Sequence, residues 1–229
     1  MNSFVPNAHA VIIGATGGIG AALANQLDAD PGFARVTRLS RATGFDLENP
    51  ASITAAAANL PAPPDLVICA TGLLHTDGLA PERALKMLSA TAFAQAFAVN
   101  ATGPALVAQA FLPLFPKGRK TLFAALSARV GSISDNRLGG WHAYRAAKAA
   151  LNQILRTIAI EQTRSNPGSI VLGLHPGTVD TGLSKPFQRG APRLFTPAES
   201  AAHLLAVMDA ATPAISGTVQ DWKGDTIPA

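Results

Sequence analysis

The chain of 229 residues is poor in cysteine, tyrosine and charge. Cys69 is its one cysteine, so no intrachain disulfide and no cysteine-based zinc site can form. A lone thiol suits a reducing compartment. Only 14% of residues are charged, and 18 basic against 14 acidic side chains leave a net charge of +4. That excess is scattered, with no basic run, which argues against a nucleic-acid partner. No stretch approaches the roughly 18 uninterrupted apolar residues of a membrane span. Residues 1–9 lack the charged start and apolar core of a signal peptide. The expectation is a cytoplasmic chain with no membrane and no nucleic-acid partner. Aromatic residues make up 6%, and Tyr144 is the one tyrosine.

What the chain does have is apolar mass. Hydrophobic residues are 48% of the total, which excludes disorder and suffices for a core. Alanine is spread throughout with no linker or repeat, so residues 1–229 are read as a single domain. Short apolar runs at 10–13, 35–39, 65–70, 121–126 and 169–174 read as strands. Helical patterns lie between them: an alanine-rich stretch over 19–27 and a long stripe after Tyr144 carrying Leu151, Ile154, Leu155 and Ile158. Thr196-Pro197-Ala198-Glu199 has the residues of a capping box, with proline in the first helical position. Alternating strands and helices with continuously apolar strands predict an α/β fold, a doubly wound parallel sheet with helices on both faces. Strand two ends near Ser40, and Phe45-Asp46-Leu47 begins about five residues later, too few for a parallel crossover. This side of the sheet is therefore expected to be trimmed, with 45–47 a stub or loop.

Gly14-Ala15-Thr16-Gly17-Gly18-Ile19-Gly20 follows the first strand and opens the first helix. Such a turn lets a pyrophosphate approach the backbone and meet the helix N-terminus, as in dinucleotide binding. At the end of strand two an acidic residue would bind the adenosine ribose, whereas arginine accommodates a 2′-phosphate. No Asp or Glu occurs from Arg35 through Phe45. Arg38-Leu39-Ser40-Arg41 stands there instead, so NADP(H) is expected in preference to NAD(H), with Ser40 and Arg41 as phosphate ligands.

Tyr144 and Lys148 stand four apart on one helix face. A free phenol has a pKa near 10, and a lysine cation beside it is expected to lower that value and make the pair an acid/base. Pro104, four residues after Asn100, has no N–H for the Asn100 carbonyl and is expected to kink that helix.

Together, Gly14-x-x-x-Gly18-Ile19-Gly20, Val99-Asn100, Tyr144-x-x-x-Lys148 and Pro176-Gly177-x-Val179-x-Thr181 resemble the short-chain dehydrogenase/reductase family from about residue 10 onward. The stretch from Gly131-Ser132-Ile133 to Tyr144 and Asn152 is most similar to its C-factor-like and carbonyl-reductase branch. The resemblance implies a Rossmann-type sheet, NADP(H), reversible hydride transfer at a carbonyl or alcohol, and a homodimer or homotetramer. It implies Tyr144 as acid/base, Lys148 on the nicotinamide ribose, Asn100 in a proton relay and a serine on the substrate oxygen. It also implies cofactor contacts at Asp46, Leu47, Ala70, Thr71, Gly72, Pro176, Gly177, Val179 and Thr181. The serine departs from the pattern. Relatives often carry two serines before the glycine at 131, and the second falls here on Ala128. Ser127, Ser132 or no serine remain open, with Ser127 preferred. Cys69 reads as a buried strand residue, and no metal site is expected. Residues 183–195 are expected to cover a partly apolar substrate as a lid. The rival function is a dinucleotide-binding signalling or sensor protein with little turnover.

Overall fold

The computed structural model describes residues 1–76, 78–190 and 192–229. Its strands are β1 (Ala8–Ile13), β2 (Phe33–Leu39), β3 (Leu66–Cys69), β4 (Thr121–Leu126), β5 (Ser169–His175), β6 (Thr178–Val179), β7 (Leu194–Phe195), β8 (Val219–Asp221) and β9 (Thr226–Ile227). The helices are α1 (Gly18–Asp28), α2 (Pro50–Ala58), α3 (Ala90–Phe97), α4 (Gly103–Phe111), α5 (His142–Ser165) and α6 (Pro197–Ala210). Seven strands form the central sheet in the order β2-β1-β3-β4-β5-β8-β9, and β6 pairs with β7 apart from it. Every central pairing is parallel except the last, β8 with β9.

The strands are apolar along their whole length because both faces are covered, as a doubly wound sheet requires. Ile12, Ile68, Leu122, Leu172 and Leu174 pack with Leu23 and Leu27 of α1 and Leu204 and Met208 of α6. Alternate residues Val11, Ile13, Val67, Phe123 and Val171 point to the other face, against α2, α4 and α5. Each such fully buried side chain contributes about 1.5–3 kcal/mol. Cys69 is 1% exposed within that second layer.

The trimmed edge is present: β2 ends the sheet, and after a short turn over Arg41–Thr43 the chain makes a loop. Phe45 and Leu47 in that loop turn inward and are buried in the second core. Gly103 makes room for this, since a Cβ there would lie 2.5 Å from Leu47 Cγ. The following helix α2 has no clear apolar stripe; it buries only Ile53 and Ala57.

Two helix boundaries carry consequences for the site. The long helix α5 begins at His142, two residues before the tyrosine, after Trp141 in left-handed backbone (φ 52°, ψ 41°). The break anticipated at Pro104 is a π-helical turn over Ala98–Thr102, joining α3 to α4. The joined run Ala90–Leu114 spans 25 residues and is long and apolar enough, by length and average composition, to cross a bilayer, although it holds no uninterrupted apolar stretch of that length. The polar residues Thr91, Gln95 and Asn100 interrupt it. Here it packs beside α5 and over the sheet. The capping box of α6 is formed: Glu199 N–H donates to Thr196 Oγ1 at 3.2 Å, and Thr196 N–H donates to Glu199 Oε2 at 2.8 Å.

Candidate functional site

The strand order reverses at β1, which lies between β2 and β3, so the crevice outside their carboxyl ends is where an open α/β sheet binds ligands. A cavity of about 470 Å³ occupies it. Gly14, Thr16 and Gly17 come to it from the end of β1, Ser40, Arg41, Asp46 and Leu47 from the end of β2, and Ala70, Thr71 and Gly72 from the end of β3. Ten of the sequence-predicted cofactor residues thus meet in one space.

That space fits a dinucleotide. Gly14 has φ +83°, and a Cβ there would come within 3.0 Å of the Ala70 carbonyl. A Cβ on Gly20 would lie 2.2 Å from Gly14 O, so only glycine lets α1 start this close to the turn. Gly17 precedes α1 and no side chain caps its first N–H groups. Those groups and the helix dipole suit a pyrophosphate. Gly18 and Gly20 serve by closeness rather than by lining, and Ile19 packs against the first core. Thr181 closes the turn from the far side, its Cγ2 2.7 Å from where a Gly18 Cβ would be.

At the end of β2, Arg38 is committed elsewhere, to Asp28 at 2.5 Å and Asn25 at 2.9 Å. Arg41 is exposed on the cavity rim, and among the described residues no ion pair uses it. Ser40 is buried, and its N–H donates to Thr43 Oγ1 at 2.9 Å, which fixes this rim. Asp46 turns a carboxylate oxygen to the Glu48 N–H at 3.0 Å. Glu48, Leu73, Thr76 and Gln95 also line the cavity without having been marked in the sequence, as do Phe45 and Val99, which the sequence marked without a cofactor role.

Tyr144 and Lys148 share one face of α5, with Lys148 Nζ 5.7 Å from the centre of the phenol ring. Lys148 is 2% exposed, and its Nζ donates to Leu126 O at 2.7 Å, at the end of β4. Gly131 permits that approach, since a Cβ there would lie 2.8 Å from Lys148 Cβ. The electrostatics correct the expectation from spacing. Burial pushes the Tyr144 phenol up to about 12, and burial pushes Lys148 down to about 8. Both groups lose hydration, so each favours its neutral form, and the lysine beside the ring does not reverse that in the protein alone.

Asn100 is fully buried, and its side chain holds the backbone of Leu73 at both ends. Nδ2 donates to Leu73 O at 2.7 Å, and Oδ1 accepts from Leu73 N–H at 3.0 Å. It therefore fixes the segment after β3 that walls the cavity. Ser127 is buried at the end of β4, and its hydroxyl donates to Asn152 Oδ1 at 2.6 Å. With its one proton given to Asn152, Ser127 would have to break that bond to donate to a substrate oxygen. Ser132 is buried too; its Oγ accepts from Asp135 N–H at 3.1 Å and lies 3.4 Å from the Ala229 carbonyl. Asn152 stands four residues after Lys148 and eight after Tyr144, so its place on that helix face was legible from spacing.

Above the tyrosine runs a chain of edge-on aromatic contacts. Trp141 meets Tyr144 at 6.3 Å and Phe187 at 5.2 Å, and Phe187 meets His75 at 5.5 Å. Part of the expected lid, the turn Lys185–Phe187, thus lies over the tyrosine side of the site. Ala191 of that lid lies outside the described residues. Pro176, Gly177 and Val179 follow β5 and are held from below: the Pro176 carbonyl accepts from Ser200 Oγ at 3.1 Å, and Val179 pairs with Phe195. Gly177 has φ +76°, and a Cβ there would strike the Phe195 ring at 2.7 Å.

Known proteins resemble this arrangement. A family model described as Enoyl-(Acyl carrier protein) reductase matches residues 34–214. C-signal of Myxococcus xanthus is 35% identical over 136 residues, covering 59% of this chain and 77% of that protein. The 1-hydroxy-2-glutathionyl-2-methyl-3-butene dehydrogenase of Rhodococcus sp. (strain AD45) is 38% identical over 126 residues, covering 55% of this chain and 54% of that protein. The match therefore spans only about half of the second relative. The NADPH-bound carbonyl reductase from chicken fatty liver superposes with a TM-score of 0.83 at 23% identity, over 100% of this chain and 97% of that one. The carbonyl reductase Sniffer of D. melanogaster gives a TM-score of 0.81 at 18% identity, over 98% and 100%. At such identities the solved structures speak to the fold, while the family match extends over most of the chain. The chain belongs to the short-chain dehydrogenase/reductase family of oxidoreductases.

Proposed function

We propose that this protein is an NADPH-dependent reductase of small-molecule carbonyls, working reversibly on the corresponding alcohols. The observation that carries this reading is the Tyr144–Lys148 pair, side by side on α5, with Lys148 buried and tied to the end of β4. NADP(H), when bound, supplies or accepts the hydride. Tyr144 gives its phenol proton to the oxygen of a reduced carbonyl, or takes a proton from an alcohol. Lys148, fixed by Leu126 O, holds the nicotinamide ribose and returns a proton towards the tyrosine. Asn100 keeps the Gly72–Leu73 wall in place and stands at the inner end of the relay. Ser127 orients the far side of the helix through Asn152 and reaches substrate oxygen only if that bond opens. Arg41 on the rim, with Ser40 beneath it, takes the 2′-phosphate. The NADPH of the chicken carbonyl reductase supports this choice of cofactor. Trp141 and Phe187 supply an apolar cover, which favours an uncharged substrate. The working unit is read as a cytoplasmic homodimer or homotetramer.

One observation favours a second reading. Ala128 occupies the second-serine register and the Ser127 hydroxyl is engaged, so the serine donor to the substrate oxygen is not free in the resting site. A dinucleotide-binding sensor with little turnover would have that property, and C-signal is among the relatives. NADPH oxidation measured over a panel of aldehydes, ketones and quinones separates the two. Turnover supports the reductase, tight binding without turnover supports the sensor, and absence of NADPH binding contradicts both.

A further inference from the structure

Glu82 lies in the segment before α3, and no motif marks it. It is 3% exposed, yet it carries a carboxyl group. A charge so placed is expensive unless it is hydrogen-bonded. Among the described residues its bonds go to the start of α5. The Trp141 N–H donates to the Glu82 main-chain carbonyl at 2.5 Å, and the Ala143 N–H donates to Glu82 Oε2 at 3.3 Å. These residues flank Tyr144 on its N-terminal side. The backbone there is unusual: Gly139 and Gly140 have φ +63° and +66°, and Trp141 follows at +52° without a glycine's freedom. A tryptophan holds a left-handed conformation only when its surroundings over-determine it. Gly140 is pressed on the same carbonyl, since a Cβ there would lie 3.3 Å from Glu82 O. Ordinary capping residues are absent; no side chain of Trp141 caps α5. Glu82 supplies the cap from a distant segment, and a carboxylate at a helix N-terminus is also favoured by the dipole.

The other carboxylate oxygen, Oε1, is buried with no hydrogen-bond partner among the described residues. Glu82 and Tyr144 together line a cavity of about 20 Å³. A cavity needs about 10–15 Å³ to hold a water, so there is room for the one donor that Oε1 lacks.

We propose that Glu82 is a positioning residue for Tyr144: it clamps the first turn of α5 through its carbonyl and one carboxylate oxygen, and so sets where the phenol stands. This rests on the reading of Tyr144 as the acid/base. The prediction concerns reach and hydrogen bonding. Glu82→Gln keeps an acceptor oxygen at the same distance, whereas Glu82→Ala removes it and Glu82→Asp is one methylene too short.

The test measures kcat and KM with para-nitrobenzaldehyde, NADPH affinity, and the ultraviolet titration of the single tyrosine in each variant and in Tyr144→Phe. Glu82→Ala and Glu82→Asp are expected to lower kcat by about tenfold or more, with NADPH affinity within about threefold of the parent. Glu82→Gln is expected to recover most of kcat. The tyrosine titration in Glu82→Ala and Glu82→Asp is expected to fall from its high value towards that of a free phenol, a readout that needs no turnover. If Glu82→Ala does not fold, Glu82→Asp and Glu82→Gln decide. Parental kcat and titration in Glu82→Asp would overturn the proposal. So would loss of NADPH affinity in step with activity, which marks general damage. Full turnover in Tyr144→Phe would instead overturn the functional reading beneath it.

Discussion

A tyrosine and a lysine that lose hydration side by side should titrate in opposite senses from their free values, and this chain lets the tyrosine be followed alone. Tyr144 is the one tyrosine, so any phenolate absorbance belongs to it. Burial raises it from 10.0 to about 12, a difference worth roughly 2.7 kcal/mol. The unfolded chain gives up that proton first as pH rises past 10, so the tyrosine's share of stability is lost between pH 10 and about 12. Lys148 runs the other way. Its folded value of about 8 lies below 10.5, so the fold carries a buried cation below pH 8 and gains about 3 kcal/mol as pH rises from 8 to 10.5. The assay is a rapid pH jump on the cofactor-free protein, reading tyrosinate absorbance before unfolding, beside denaturant melts at each pH. Tyr144→Phe should abolish the absorbance step and the alkaline loss of stability. Lys148→Met should abolish the gain between pH 8 and 10.5. A phenolate midpoint at or below 10 would refute the reasoning, because it would mean that the lysine's field outweighs burial in the protein alone.

Other outcomes follow from the cavity. Ser40→Asp/Arg41→Ala should weaken NADPH by about 10-fold to 100-fold, the range of a charged hydrogen bond of about 1.5–3 kcal/mol, and leave NADH within a few fold. Fluorescence titration with both cofactors checks it, and equal losses would count against a 2′-phosphate site. Gly20→Ala places a Cβ 2.2 Å from the Gly14 carbonyl, so overpacking of about 1–3 kcal/mol should lower Tm and weaken both cofactors alike. Ser127→Ala should reduce turnover more than Ser132→Ala, through the loss of its bond to Asn152. Parental turnover in both would remove the serines from the account.

The glycine turn was legible because a turn between a buried strand and a helix leaves few choices of residue, and the chain places Gly14, Gly17, Gly18 and Gly20 there. The trimmed sheet edge was legible from length alone, since five residues cannot return a parallel strand. The cap at Thr196 follows a local rule that depends on four consecutive residues, and it formed. Helix α2 was not legible, because its alanines carry no apolar period and only Ile53 and Ala57 are buried. Strands β8 and β9 span three and two residues, too short for any alternation to show. The tyrosine and lysine were legible as a pair from their spacing, but the sense of their pKa changes was not. That sense depends on how deeply both are buried, which is set by the sheet end at Leu126 and the glycine at 131. Ser127 lies at the right strand end, yet its hydroxyl is taken by Asn152, a contact made only when α5 packs on β4. The clamp from Glu82 was invisible for the same reason: it joins residues about sixty apart and needs the left-handed backbone at Trp141.

The central claim is that the phenol of Tyr144 moves the proton while the glycine-turn cavity holds the cofactor. Replacing Tyr144 with Phe removes one oxygen and every tyrosine hydroxyl in the protein. Turnover and NADPH affinity measured on that variant test the claim directly. The account predicts that turnover of any accepted carbonyl collapses by about a hundredfold or more, as for a lost general acid, while NADPH affinity stays within a few fold. Turnover retained at the parental rate would contradict it.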